Sequence, residues 1–432
     1  MEQSGTAVLG PPAPSSRSTD ATRRIGRNHA IIVLGSVFEN GLGLVGSVLT
    51  ARMLLPAGRG QLGRWVYWGQ LLVSLGALGI LTAVPQLVGA GRLPERDARR
   101  LATAFGIVVA PLAGLAGLVF VAPALGASGA LDGWTCIALG FVPATLVAFA
   151  AQAVLIARDD LVTMMAVRVA GRAAYVVVLG ALLATGETRP SAAALVLAGQ
   201  AILIAGGLGG AARPASPSGL SSQLAREALR RGVSNHLPTV AVAAISLLDQ
   251  GWVFSQLRDA DAGFFATSLG AALLVDVLGF AEITASTVAM SDAQAGWRSR
   301  RTALSRTTVL GIAVLAVGYL LAPFVIPLVY GKAFTPAVPI FRVLLVGQVL
   351  YNLGRVAEAA LQSAGRPQVA WLFQATRGAA LFTFMGFFGR FAGPIGVATA
   401  TAAASAAGAL ATLAAVQRTG IRIRPPIRVT ES

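Results

Sequence analysis

Apolar residues in this chain run in long blocks, each about as long as a helix that crosses a bilayer, ~20 residues. The blocks fall near 29–53, 65–90, 101–123, 133–157, 161–184 and 190–212, and again near 233–256, 263–289, 306–330, 337–363, 368–389 and 394–417. A polar stretch, RPASPSGLSSQLAREALRRG at 213–232, divides them six and six. Residues 1–28 hold Pro11, Pro12 and Pro14, several serines, then Arg17, Arg23, Arg24 and Arg27. No apolar core precedes a cleavage site there, so the segment reads as a disordered tail and not as a signal peptide. Residues 418–432 form a second tail, short, basic and interrupted by proline. The pattern predicts an all-α polytopic membrane protein of about twelve transmembrane helices. An N-terminal lobe spans 29–212 and a C-terminal lobe 233–417, joined by the linker 213–232.

Composition supports lipid as the solvent. The 432 residues are 55% hydrophobic and only 12% charged, with a mean hydropathy of +0.71, against about 25% charged in soluble domains. A core in a chain of this size cannot absorb that much apolar surface, whereas acyl chains solvate it over the whole outside. Fifty glycines suit helices whose backbones approach closely in a bilayer. The single cysteine, Cys136, excludes an intrachain disulfide, and two isolated histidines, His29 and His236, are too few for a metal site.

The net charge of +16 does not point to nucleic acid, because the basic residues sit in short runs between apolar blocks. With the N-terminus inside, 22 of the 34 basic residues fall on cytoplasmic segments, 7 on outer segments and 5 within helices. That bias predicts cytoplasmic termini and an even number of helices. The first outer loop runs against it, carrying Arg52, Arg59 and Arg64.

An ionisable group at the centre of a membrane helix costs roughly 2.5–3.5 kcal/mol on insertion scales, so each needs a partner or a wet cavity. The candidates are Glu39, Arg168, Arg172, Asp249, Asp276, Glu282, Arg342, Arg355, Glu358 and Arg377. Arg168 and Arg172 are four apart and share a helix face. They call for an anion between them, such as a diphosphate, which arginine grips bidentately; snorkelling to the surface is the bland alternative. Arg355 and Glu358 are three apart and suit either a structural pair or a substrate contact. Arg377 is placed in a cavity, and Arg342 near an outer helix end. Glu39 and Asp249 lie on corresponding helices of the two halves, as carriers of a coupling proton or Na⁺ or as partners of the arginines. Asp276 and Glu282 are six apart and point to different faces. Trp65, Trp68, Trp134, Trp252 and Trp371 lie near span ends and fit interfacial belts.

The halves echo one another. The first helix runs into ARMLLPAGRGQLGRW and the seventh into SLLDQGWVFSQLRDADAGFFATSLG, each a polar, glycine-containing turn before a further apolar helix. Such repeats are typical of transporters. VFENGLGLVGSVLTARMLLPAGRGQLGRW resembles the opening of bacterial polysaccharide flippases, the Wzx-type branch of the multidrug/oligosaccharidyl-lipid/polysaccharide (MOP) superfamily. IPLVYGKAFTPAVPIFRVLLVGQVL is similar to the junction of helices 9 and 10 in that family, and SLLDQGWVF with AGFF to its helix 7–8 region.

The resemblance implies a MATE-like pair of six-helix lobes in the bacterial inner membrane. It implies alternating access that carries an undecaprenyl-diphosphate-linked oligosaccharide from the inner to the outer leaflet, without a cofactor. Arg168, Arg172, Arg355 and Arg377 are then expected around one cationic cavity between the lobes, with Glu39 and Asp249 in ion coupling. Expected partners are the anionic lipid-linked oligosaccharide, membrane lipids, and a polysaccharide polymerase with glycosyltransferases. The alternatives are a multidrug/cation antiporter of the same superfamily, or a membrane enzyme or scaffold of polysaccharide synthesis. No G-x-x-x-x-G-K-[ST], H-E-x-x-H or G-x-S-x-G occurs, so none of the common hydrolytic motifs is present.

Overall fold

The computed structural model describes residues 16–125, 133–216, 221–276, 296–363, 371–391 and 393–418. Among these residues the regular structure is helical. Helix bounds follow local chemistry. Helix Leu161–Ala184 starts at Asp160, whose Oδ1 accepts from the Thr163 N–H at 3.3 Å, satisfying one of the donors left open at a helix start. Helix Pro190–Ala212 starts on a proline, which suits a first turn that has no use for its N–H. In the turn between them Arg189 holds the Glu187 carboxyl down to about 2.

The helices are numbered α1 (16–54), α2 (56–76), α3 (Ile80–Gly89), α4 (Glu95–Ala116), α5 (133–157), α6 (Leu161–Ala184) and α7 (Pro190–Ala212) in the first half. The second half holds α8 (Ser222–Gln256), α9 (Asp259–Ala272), α10 (Gly296–Tyr330), α11 (Ala337–Ser363), α12 (Leu372–Phe391) and α13 (Gly393–Arg418). α1 and α2 form one helical stretch broken at Leu55 (φ 57°, ψ 177°), just before Pro56. α4 continues through a wider turn at Gly117–Val121, and α5 contains another at Ile137–Phe141. Eight described segments are long and apolar enough to cross a membrane, the first of them, Ile31–Gly76, containing the break. Large apolar side chains such as Phe120, Val177, Phe324, Leu328 and Phe382 are more than 70% exposed, as expected where acyl chains replace water. The chain is a multi-pass membrane protein of two lobes.

Three bounds differ from the sequence pattern. Helix begins at Ser16 and not near 29, because the last breaker upstream is Pro14 and nothing between Ser16 and Asn28 stops the first span from extending backward. Helix resumes at Ser222, inside the expected linker, because SQLAREALRR is rich in strong helix formers. The second block, expected as one span over 65–90, bends at Ala77–Gly79, where Leu78 (φ 45°) and Gly79 (φ 69°) are left-handed. Residues 277–289 of the eighth expected span, including Glu282, and the tail beyond Arg418 lie outside the described residues.

Each lobe has its own core. The first is built around Trp65, Trp134, Ile137, Leu146, Leu155 and Leu179. Trp65 (7% exposed) and Trp134 (0%) are therefore interior residues and do not belong to an interfacial belt; Gly133 leaves room for the Trp65 ring, which any Cβ there would overlap. The second core joins Phe265, Leu344, Leu381 and Met385 to a stripe of small residues on α13, Val397, Ala398, Ala400 and Ala404. A third cluster, with Ala51, Ala271, Ile326, Tyr330 and Phe334, ties the end of α1 to α9 and α10 across the halves.

Candidate functional site

With α2 and α3 taken as one bent span, α1 to α7 make six crossings, so the start of α8, where Gly232 meets Gly79, lies on one face of the bundle (the linker face) and the α1–α2 turn on the other (the hairpin face). Between them each lobe encloses a polar cavity. The N-lobe cavity, about 480 Å³, is lined by Glu39 of α1, Thr145 and Gln152 of α5, Arg168 and Arg172 of α6 and Gln200 of α7. The C-lobe cavity, about 210 Å³, is lined by Asp249 of α8, Asp276 just beyond α9, Gln348 and Tyr351 of α11, Arg377 of α12 and Thr401 of α13.

In the N-lobe cavity Arg168 pairs with Glu39, Nη2 to Oε2 at 2.8 Å and to Oε1 at 3.0 Å. Arg172, one turn along, has only a long bond, Nη1 to Gln200 Oε1 at 3.4 Å, and its guanidinium stands 5.9 Å from the centre of the Tyr175 ring. Its Nε is buried without a partner among the described residues. Two cations face one carboxylate, so the cavity carries a net positive charge and one under-engaged guanidinium. Such a lining suits an anion by charge.

The C-lobe cavity has the opposite balance. Asp249 is buried, its Oδ1 accepting from the Gln250 N–H at 2.7 Å and its Oδ2 lying 3.2 Å from the Thr401 hydroxyl. The Asp276 carboxylate accepts from the Gln348 amide. Arg377, 5% exposed, lies 5.0 Å over the Tyr351 ring, and its Nε and Nη1 have no partner among the described residues. Two acids against one guanidinium favour a proton or a small cation.

Among the described residues the four arginines do not gather in the expected single cationic cavity between the lobes. Arg168 and Arg172 stand together, with Glu39 neutralising the first. Arg377 sits in the other lobe among aspartates. Arg355 lines neither cavity; its Nε is 3.7 Å from Glu358, one turn away on the same helix, and its side chain is 40% exposed. Glu358 also accepts from Gln374 Nε2 at 3.3 Å, which accounts for its burial next to α12. Arg342 donates to the Tyr319 carbonyl at 2.9 Å and stacks 4.5 Å over that ring, clamping α11 to α10. Asp276 and Thr401 are cavity residues that the sequence ranked low or passed over. Asp276 carried a signal as an acid on an apolar helix; Thr401 had none in an alanine-rich stretch.

The lobes meet at both faces. On the hairpin face the two echoing turns oppose each other. A Cβ on Gly60 would overlap the Asp259 carbonyl, and one on Gly263 the Pro56 carbonyl. Arg64 pairs with Asp259 at 2.8 Å and donates to the Phe254 carbonyl at 2.8 Å. Arg52 donates to the Val329 and Leu328 carbonyls that end α10, at 2.8 and 2.6 Å, a favourable place for a cation. Arg59 reaches Ser47 Oγ at 3.2 Å. The three arginines that weaken the charge bias thus make contacts at this end of the molecule. On the linker face Gly79 and Gly232 cross, each leaving room for the other segment's backbone, and Arg92 pairs with Glu227 at 2.5 Å.

Among solved structures the chain is similar to the lipid II flippase MurJ in an inward closed conformation, with a TM-score of 0.73 at 15% identity over 89% of this chain and 87% of that one. It is similar to an inward-facing multidrug resistance MATE family transporter of the MOP superfamily, with a TM-score of 0.68 at 15% identity over 91% and 99%. A third is a MOP superfamily transporter from Pyrococcus furiosus described as having a binding pocket of reverse polarity, with a TM-score of 0.62 at 16% identity over 92% and 96%. No protein-family model and no curated protein matches the sequence. The chain has the two-lobed helical fold of the MOP superfamily transporters.

Proposed function

We propose that this chain is a flippase that carries an undecaprenyl-diphosphate-linked oligosaccharide across the bacterial inner membrane by alternating access. The observation that carries the reading is the N-lobe cavity, where Arg172 holds unspent donors beside an arginine already paired. The diphosphate would take the Arg172 guanidinium and compete with Glu39 for Arg168. The linker face, with most of the arginines, would be cytoplasmic, and both termini with it. Asp249, in the acidic cavity of the other lobe, would take up the coupling proton or cation; Glu39 would act through Arg168. Arg377, between the two aspartates, would respond to that uptake. A polymerase and glycosyltransferases acting on the same glycan are the natural partners. Holding and releasing an anionic lipid requires no bond-making step in this chain.

The test is a vesicle reconstitution with a fluorescent polyprenyl-diphosphate sugar and a membrane-impermeant quencher. Wild-type protein exposes the probe to the quencher. Arg172→Ala loses a charge-assisted contact of about 1.5–3 kcal/mol, which corresponds to about 10–100-fold weaker capture. An unchanged rate in Arg172→Ala removes this residue from the site. A second reading, export of an organic cation, draws on the Asp249 and Asp276 pair. It predicts that Asp249→Asn abolishes uptake of a cationic dye into inverted vesicles while Arg172→Ala leaves it intact.

A further inference from the structure

Outside both cavities, a basin of about 690 Å³ opens on the linker face where the lobes meet. Arg226, Glu227, Arg230 and Arg231 line it from the first turns of α8, and Arg92 from the turn after α3. Residues 226 and 230, like 227 and 231, are one turn apart, so α8 presents a continuous charged stripe to the basin. Glu227, the only acid among the described lining residues, is occupied, with Arg92 Nη2 at 2.5 Å and Arg231 Nε at 3.4 Å from its Oε1. Arg226 and Arg230 are exposed. Four guanidiniums against one carboxylate leave a strongly cationic hollow, and guanidinium forks match phosphate oxygens.

Two observations point to a lipid and not to a soluble anion. Ala228 on α8 is buried and Leu224 packs on the N-lobe core, which fixes this part of the helix against the protein. Leu229 and Val233, 51% and 38% exposed, then lie on the free side of the same helix, next to the arginines. The surface therefore offers cations at headgroup level and apolar side chains where acyl chains begin, the arrangement of an interfacial amphipathic helix. We propose that this basin seats the phosphate headgroup of an anionic phospholipid at the seam between the lobes. The site is separate from the N-lobe cavity and does not depend on what that cavity carries.

Native mass spectrometry of the purified full chain, titrated with phosphatidylglycerol or phosphatidylcholine, tests the assignment. Wild type should retain phosphatidylglycerol over phosphatidylcholine. At about one kcal/mol per arginine near a membrane surface, the Arg226→Gln/Arg230→Gln pair should weaken that binding about 30-fold. The exposed pair Arg301→Gln/Arg306→Gln, at the start of α10, removes the same charge elsewhere and should leave it unchanged. Glu227→Gln removes the one acid among the described lining residues and should tighten binding, a gain that misfolding cannot mimic. Binding that survives loss of Arg226 and Arg230, or that falls equally with Arg301 and Arg306, overturns the proposal. Displacement of the lipid by inorganic pyrophosphate would show a soluble-anion site and overturn the lipid assignment.

Discussion

Arg168 and Arg172 have the same side chain one turn apart, yet the fold gives them different duties. Arg168 is neutralised by Glu39, 129 positions away in sequence, while Arg172 keeps donors in reserve. A double-mutant cycle of Glu39→Gln with Arg168→Gln should show a coupling of about 0.5–3 kcal/mol in thermal stability. Zero coupling would mean that the pair does not hold in the bilayer. Glu39→Gln alone also frees Arg168, so it should tighten binding of a diphosphate headgroup, whereas Arg172→Gln should weaken it. Periodicity shows which charges share one helix face, and so Arg168 with Arg172 and Arg355 with Glu358 were legible. It carries no information on partners from other helices. That is why the sequence could not separate Glu39 as a counter-ion from Glu39 as a coupling carboxylate, or divide the arginines between two cavities.

At the scale of elements, hydrophobic blocks located the helices whose ends carry strong local signals. Leu161–Ala184 has its Asp160 cap and Pro190–Ala212 its initiating proline, and both match the expected bounds. Ends without such signals drifted, because amphipathic helix such as 222–232 leaves no mark in an apolar count. The bend at Ala77–Gly79, inside an apolar block, was likewise invisible. The break at Leu55 falls between the first two expected blocks, and its φ of 57° and ψ of 177° lie close to a region that is essentially reserved for glycine and costs about 1–3 kcal/mol for other residues. The following Pro56 pushes it to extended ψ. Leu55→Gly should therefore raise the melting temperature of the purified protein, by about 1 kcal/mol of stability. A fall would show that the exposed Leu55 side chain contributes more through contact with lipid than the backbone loses.

Over the whole molecule, the two-lobed helical fold and the membrane setting were legible in the sequence. What it withheld was the state of the seam, which depends on which loops oppose each other. In the structure ion pairs bridge that seam at both faces, Arg64 with Asp259 at one end and Arg92 with Glu227 at the other. Only one native cysteine has to be removed for a clean test. In a Cys136→Ser background, Arg64→Cys with Asp259→Cys joined by a short bifunctional thiol reagent should stop transport, and reduction of the linkage should restore it. Transport that continues while cross-linked would mean that the hairpin face never opens. Gly60→Val should act in the opposite sense. The added side chain cannot fit against the Asp259 carbonyl, so thiol reagents should reach a cysteine placed at Ser47 faster than in the parent protein.

The bend at Ala77–Gly79 bears on how those two ends behave as a machine. The second block of the sequence would, as an uninterrupted rod, transmit any tilt from one end to the other, and loosening one seal would strain its counterpart. The left-handed pair Leu78 and Gly79 makes it a jointed arm. Its α2 segment carries one set of contacts, and the Gly79 crossing and the α3 segment the other, so under the proposed alternating access each would part while its opposite stays shut. That mechanical independence is the minimum condition for a device that must never be open right through. A substitution that straightened the joint should therefore show itself first as leak of small ions, before any loss of carriage.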